Sequence, residues 1–269
     1  MNTFEKIINF LASEMQTPGL YGVFHIISLV IIAVLTIVLC WACRNCSEKT
    51  FKWLIASAWI VMVVFEIYKE IVMSFNNEGG KVYWDYQWHT FPFQLCSLPL
   101  YLLPFIAFKK PGKFRDCIMA FMSSFVLFGG LSTILVPTTV FIPTIGVNIQ
   151  TMVHHGIQVV LGVFILVHER KRINLKFFIP AIYVFLVAVA VALAMNFIFP
   201  TFLDEKFAMF YISPYYPCVI PVLDIIYANT HYAVFLLLYI IGLTLVAFLT
   251  YLICYGFIKL GMRGKARKQ

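Results

Sequence analysis

The chain has 269 residues, 62% hydrophobic and 12% charged, with 20 Lys and Arg against 12 Asp and Glu for a formal net charge of +8. A soluble domain carries about 25% charged residues, and a mean hydropathy of +0.90 with no long polar stretch leaves no room for a separate water-soluble domain. Nucleic acid is excluded as the reason for the positive charge, because the basic residues lie in short connections between apolar runs, where they report membrane orientation.

In chain order, Phe4, Ile7, Ile8 and Leu11 fall at helical spacing and predict a short helix on the outer surface. Glu5 and Glu14, with no basic leading region, argue against a cleavable signal. Seven apolar runs of roughly 18 to 25 residues follow, at 21–43, 52–74, 91–108, 115–137, 149–168, 177–199 and 230–258. Runs such as Ile31 to Leu39 and Phe185 to Ala194 do not alternate in polarity, which favours helices over a barrel. The expected fold is an all-α membrane protein, a seven-transmembrane-helix bundle over 21–260, preceded by an outer interfacial segment at 1–20 and followed by a basic cytoplasmic tail at 261–269.

Sixteen basic residues gather on one side of this arrangement: Arg44, Lys49 and Lys52, then Lys109, Lys110, Lys113 and Arg115, then Arg170, Lys171, Arg172 and Lys176, and finally Lys259, Arg263, Lys265, Arg267 and Lys268. Lys6, Lys69, Lys81 and Lys206 lie on or near the other. The positive-inside rule then places the N-terminus outside and the C-terminus in the cytoplasm. Two outer segments, 75–92 and 200–229, are dense in Tyr, Trp, Phe and Pro and read either as caps on the bundle or as an ordinary aromatic belt. There is no convincing internal repeat, so an inverted-repeat transporter architecture gains no support.

Polar side chains inside a span are costly and become functional candidates for that reason. His25, Glu66, Lys69, Glu70, Gln94, Cys96, His154, His155, Gln158, Asn196, Asn229 and His231 all fall toward the outer ends of six spans, most within about 5 to 12 Å of the boundary. A polar cavity open to the outer leaflet accounts for that common depth; hydrogen bonds between neighbouring helices are the alternative. Cys96 is the one cysteine in the group, and an imidazole can take a thiol proton to make a nucleophile for acyl transfer. His25, His154, His155 and His231 are candidate bases, with Glu70 or Gln94 to orient one of them. His154 and Gln158 share a helix face at i, i+4, as do Glu66 and Glu70 with Lys69 beside them, which predicts one internal ion-pair cluster. Cys40, Cys43 and Cys46 form C-x2-C-x2-C without an evident fourth metal ligand, so reversible acylation or no role is expected there. Ser123, Ser124, Gly129, Gly130, Ser132 and Thr133 make a small-residue track for close packing. Pro99, Pro104 and Pro137 are expected to kink helices around the cavity.

The N-out arrangement, FHIISL around His25, FPFQLCSLPLYL around Cys96, HHG at His154 to Gly156 and MNFIFP around Asn196 resemble the YwaF family of bacterial integral membrane proteins. That family is similar to animal transmembrane protein 164, an acyltransferase that moves fatty acyl chains between glycerophospholipids through a cysteine acyl intermediate. The resemblance covers most of the chain. It implies Cys96 as the acyl-accepting nucleophile and His155, which precedes the glycine, as its partner. Gln94 stands where a histidine is expected, and glutamine can orient or donate but cannot accept a proton.

The leading reading is therefore a lipid acyltransferase or transacylase. Its catalytic candidates are Cys96, His155, His154 and Gln94, and His25, Glu70, Gln158, Asn196 and His231 are expected to line the substrate site. Gln94 or Asn196 would stabilise the oxyanion. The expected substrate is a phospholipid or lysophospholipid in the membrane, with no cofactor and no metal, no nucleic-acid partner and no indication of oligomeric state. The alternatives are a small-solute or proton-coupled transporter using the same cavity, an intramembrane zinc hydrolase using three of the histidines, and a seven-span receptor. Composition points to a bacterial cytoplasmic membrane, with an internal eukaryotic membrane as the alternative.

Overall fold

In the computed structural model, which describes residues 2–78, 81–204 and 206–266, nearly all regular structure is helical. The first helix, α1 (Thr3–Leu11), starts at a capping box in which Asn2 and Glu5 satisfy each other's backbone amides. Ile8 is buried, Phe4 meets Phe75 edge-on at 5.3 Å and Ile7 stays exposed. Tyr68 donates to the Leu11 carbonyl at 2.6 Å, tying α1 to the bundle.

Among the described residues, six helical stretches are long and apolar enough to cross a membrane. They are α2 (Val23–Cys43), α3 (Glu48–Val72), the continuous Lys113–Leu135, α7 (Ile145–His168), Leu175–Thr201 around α8 (Ile179–Ile198), and α10 (Tyr232–Ala266). Lys113–Leu135 consists of α5 (Lys113–Phe121), a π-helical turn at Met122–Val126 and α6 (Leu127–Leu135). Ser123 and Ser124 donate back to the Met119 and Ala120 carbonyls at 2.7 and 2.6 Å, through the loosened ladder of that turn.

The apolar run at 91–108 does not form a full-length helix. It forms a 3-10 turn at Leu95–Ser97 and an 11-residue α4 (Leu98–Phe108). At 1.5 Å per residue Leu95–Phe108 rises only about 21 Å, short of the ~30 Å hydrocarbon core. The cause is local. Phe91 precedes a proline and is held extended, and Gln94 is extended as well (φ −94°, ψ 167°), so helix cannot begin where hydropathy begins. Pro99, in the first turn of α4, costs no hydrogen bond.

Between α3 and α4 lies an antiparallel hairpin, β1 (Phe75–Glu78) and β2 (Lys81–Trp84), pairing Phe75 with Trp84; residues 79–80 of the aromatic segment 75–92 lie outside the described residues. A short α9 (Leu223–Asn229) precedes α10, and residue 205 of the segment 200–229 is likewise outside them. Ion pairs Arg115–Glu48 and Arg172–Asp116 gather three basic connections at one end of the bundle. Of the basic tail at 261–269, residues 267–269 fall outside the described residues.

The core centres on α7, which with Lys113–Leu135 is mostly buried, whereas α2 and α10 turn most of their surface outward. Phe125 stacks on Phe121 and Phe185 with ring centroids 5.5 and 4.4 Å apart, filling the space between α5 and α8. The approach to α7 depends on small residues. A Cβ at Gly130 would lie 2.9 Å from the His155 carbonyl, and one at Gly162 would lie 2.8 Å from Leu127 Cβ. Gly162→Val is therefore expected to cost about 1–3 kcal/mol by overpacking, read as a lower thermal transition in detergent. Gly242→Val, where a Cβ meets no atom within 4 Å, should leave that transition in place; equal effects would contradict the packing.

Candidate functional site

Because the backbone enters α4 through a 3-10 turn, the carbonyl of Cys96 is turned toward α7. It accepts a hydrogen bond from His154 Nε2–H at 2.9 Å and another from Gln158 Nε2–H at 2.7 Å. The i, i+4 spacing of His154 and Gln158 makes this double grip possible. The Cys96 side chain itself is only half-buried. Since a carbonyl can only accept, His154 carries its proton on Nε2, and its Nδ1 looks at Glu66 Oε2 from 3.7 Å without a hydrogen-bond partner. Two acceptors face each other there in a buried setting, which is unfavourable unless a proton or a water lies between them. Gln158 Oε1 is also buried and unpartnered.

His155 is held differently. Its Nδ1–H donates to the Thr151 carbonyl at 2.8 Å, so Nε2 is the nitrogen with a lone pair. Its ring centroid lies 5.5 Å from that of His154. Each ring thus keeps one lone-pair nitrogen, Nε2 in His155 and Nδ1, facing Glu66, in His154, whose proton holds the Cys96 peptide.

Behind His154, Glu66 accepts from Lys69 Nζ at 2.6 Å through one oxygen and from Gln150 Nε2 at 3.2 Å through the other. Lys69 also pairs with Glu70 at 3.1 Å and donates to the Thr90 carbonyl at 3.0 Å. Glu70 accepts from the Tyr86 hydroxyl at 2.6 Å, and burial with this carboxylate pushes the Tyr86 phenol up, so it remains a donor. The helical spacing of Glu66, Lys69 and Glu70 predicts this cluster; Gln150 and Tyr86 carry no sequence signal that singles them out. Glu66 and Glu70 also line a cavity of about 520 Å³ between α3 and α4, with Val63, Ile67, Leu100 and Tyr101 among its apolar walls. Burial pushes His89, in the connection between β2 and α4, down, so it is neutral at pH 7.

Other candidates are placed elsewhere. His25 donates from Nε2 to the Ile134 carbonyl at 2.7 Å and accepts the Tyr21 amide at Nδ1 at 2.9 Å, closing the end of α6 with both nitrogens used. Gln94 donates to the Ala208 carbonyl at 3.0 Å and accepts the Phe210 amide at 2.7 Å. Asn196 accepts the Met209 amide at 2.7 Å and donates to the Met209 carbonyl at 2.9 Å. Together they hold a buried plug at 207–213, in which Phe210 and Tyr211 take left-handed φ values of 58° and 57°. The expected oxyanion role of Gln94 and Asn196 is thus replaced by a structural one, since both amides are committed to backbone. His231 is exposed at the start of α10, where its Nδ1 accepts the Ala233 amide at 3.3 Å; it does not join the cluster. Among the described residues no three His, Cys, Asp or Glu side chains are grouped to hold a metal ion.

A family model described as the TMEM164 family matches residues 20–255. The chain belongs to the TMEM164 family. The matched span contains the Cys96 turn, the His154–His155 pair, Glu66 and the plug, and with six membrane-length helices it makes this TMEM164-family member a multi-pass membrane protein. Neither the curated proteins nor the solved structures include a match.

If the plug is held as described, Gln94→Leu and Asn196→Leu each strand two buried backbone groups. Unsatisfied groups of this kind cost about 1–3 kcal/mol each. Amide exchange across 207–213 should then rise by on the order of tenfold or more while α7 stays protected; unchanged exchange would contradict the clamp.

Proposed function

We propose that this TMEM164-family protein is a membrane-embedded glycerophospholipid acyltransferase or transacylase, with Cys96 as acyl carrier and His155 as general base. The observation that carries the reading is the continuous path from the α3–α4 cavity through Glu66 and His154 to the Cys96 peptide, with unpartnered polar atoms along it. In the proposed cycle His155 Nε2 takes the Cys96 thiol proton and the thiolate attacks the ester carbonyl of a phospholipid. The carbon–oxygen bond to glycerol breaks, and the departing oxygen takes the proton back from His155. A lysophospholipid or other alcohol then reverses the sequence. His154 and Gln158 position the Cys96 turn.

The bundle is proposed to hold seven membrane-inserted elements, with α4 as a partial span, the N-terminus on the outer side and the basic connections in the cytoplasm. A bacterial cytoplasmic membrane suits that charge distribution. One observation favours a second reading: Glu66, Lys69 and Glu70 form a buried ionic cluster on the cavity wall, which also suits proton-coupled transport of a small solute.

Transfer of a labelled acyl chain from phospholipid to lysophospholipid in vesicles should fall by more than about 100-fold in Cys96→Ala and by about 10²- to 10⁴-fold in His155→Gln. His154→Gln, which still offers a donor to the Cys96 carbonyl, should lose less than His154→Leu. Full transfer in Cys96→Ala, with solute flux lost in Glu70→Gln, would replace this reading with transport.

A further inference from the structure

The opposite, basic end of the bundle holds a second thiol with an imidazole beside it. Cys46, in the turn between α2 and α3, has its Sγ 3.9 Å from His168 Nδ1, within hydrogen-bond range for sulfur. On the other side of that ring, His168 Nε2 lies 4.0 Å from Glu169 Oε1. With Nε2–H directed at the carboxylate, Nδ1 is left with the lone pair that accepts a thiol proton. Phe51 stacks on the His168 ring at a centroid distance of 4.3 Å and fixes its plane. Arg170 grips the preceding turn, donating to the Arg44 carbonyl at 2.5 Å and to the Asn45 side chain. Cys46 is half-buried and so remains reachable. Burial and the neighbouring Cys43 push its thiol up, so it rests protonated and needs a base to react.

An apolar groove approaches the same end. A cavity of about 570 Å³ runs between α2, α3 and α7, from Phe24 at one end of α2 to Leu39 at the other, with Leu54 and Ala58 of α3 and Gly156 of α7 in its walls. Phe24 to Leu39 measures about 22 Å along the helix. Cys43 continues the α2 stripe of the groove at i+4 from Leu39, and the Cys46 turn follows directly. Arg44, Lys49 and Lys52 lie within six residues of Cys46 in the chain, and Lys171 within three of His168, a basic setting that suits an anionic donor.

We propose that Cys46, His168 and Glu169 form a self-acylation site, which takes a long-chain acyl group from an anionic acyl thioester and lays the chain in the α2–α3–α7 groove. In the step, the Cys46 proton passes to His168 Nδ1 and the thiolate attacks the thioester carbonyl. The bond to the donor sulfur breaks, a new thioester forms at Cys46, and the donor leaves as a thiol carrying the proton from His168. No oxidant or reductant is needed. The proposal is independent of the chemistry at Cys96.

The test is incubation of the purified full-length protein with palmitoyl-coenzyme A, followed by intact mass measurement and peptide mapping of hydroxylamine-labile adducts. One acyl adduct is expected on wild type and on Cys96→Ala, and none at this position in Cys46→Ala, whose phospholipid transfer is unaltered. His168→Phe, which keeps the stacking on Phe51 and removes the base, should slow acylation at least tenfold while leaving the thermal transition near that of wild type. Ala58→Phe, which fills the groove, should slow the palmitoyl donor more than an octanoyl donor. A folded wild type that takes no acyl group, or an adduct that persists undiminished in Cys46→Ala or at an equal rate in His168→Phe, would overturn the proposal.

Discussion

Within hydrocarbon, a backbone amide or carbonyl outside a regular helix cannot fall back on water, so the protein must supply its partner. Several breaks in this bundle are closed by side chains in that way. Ile134 at the end of α6 is met by His25. Asn148 both accepts from and donates to Ile142 before α7. Gln94 and Asn196 hold residues 208–210, and His154 with Gln158 holds Cys96. Leaving such buried groups unpaired would cost about 1–3 kcal/mol each. The breaks and the polar residues of the apolar runs are thus two sides of one requirement.

That requirement separates the Cys96 region from the others. His25, Asn148, Gln94 and Asn196 each engage backbone through both a donor and an acceptor, as a purely structural lock should. Around Cys96 the polar capacity exceeds the demand. His154 Nδ1 and Gln158 Oε1 are buried without partners, and Glu66 faces the first of them from the cavity wall. Buried polar atoms left unused beside a cavity point to a ligand or a proton that completes them. The short α4 has the same consequence: by starting late it brings its own N-terminal turn, with the thiol on it, into the interior beside α7.

Much of this was legible in residue order. Six of the seven apolar runs became membrane-length helices, and the i, i+4 spacing of His154 with Gln158 and of Glu66 with Glu70 placed each pair on one face as expected. The run at 91–108 was misleading because hydropathy counts Phe91 and Phe93 as spanning residues, whereas Pro92 keeps that stretch extended. Common depth was misleading as well. His25, Gln94 and Asn196 sit at the level of the site but are bound to the backbone of other elements, a distinction that depth along a helix does not encode. The plug at 207–213 has no glycine to announce its left-handed turn; Phe210 and Tyr211 are forced into it by Gln94, Asn196 and the Tyr239 hydroxyl, which donates to the Phe210 carbonyl at 2.9 Å. Tertiary contacts alone create that feature.

The central claim is that the Cys96 turn carries acyl groups during turnover. It is tested most directly by intact-protein mass spectrometry of wild type and Cys96→Ala after incubation with mixed phospholipids alone, with thioacyl adducts mapped to their cysteine. The account predicts a hydroxylamine-labile fatty acyl group on Cys96 of the wild type that disappears when lysophospholipid is added, and no such group in the variant. Wild type that turns over phospholipid without ever carrying an acyl group on Cys96 would contradict it.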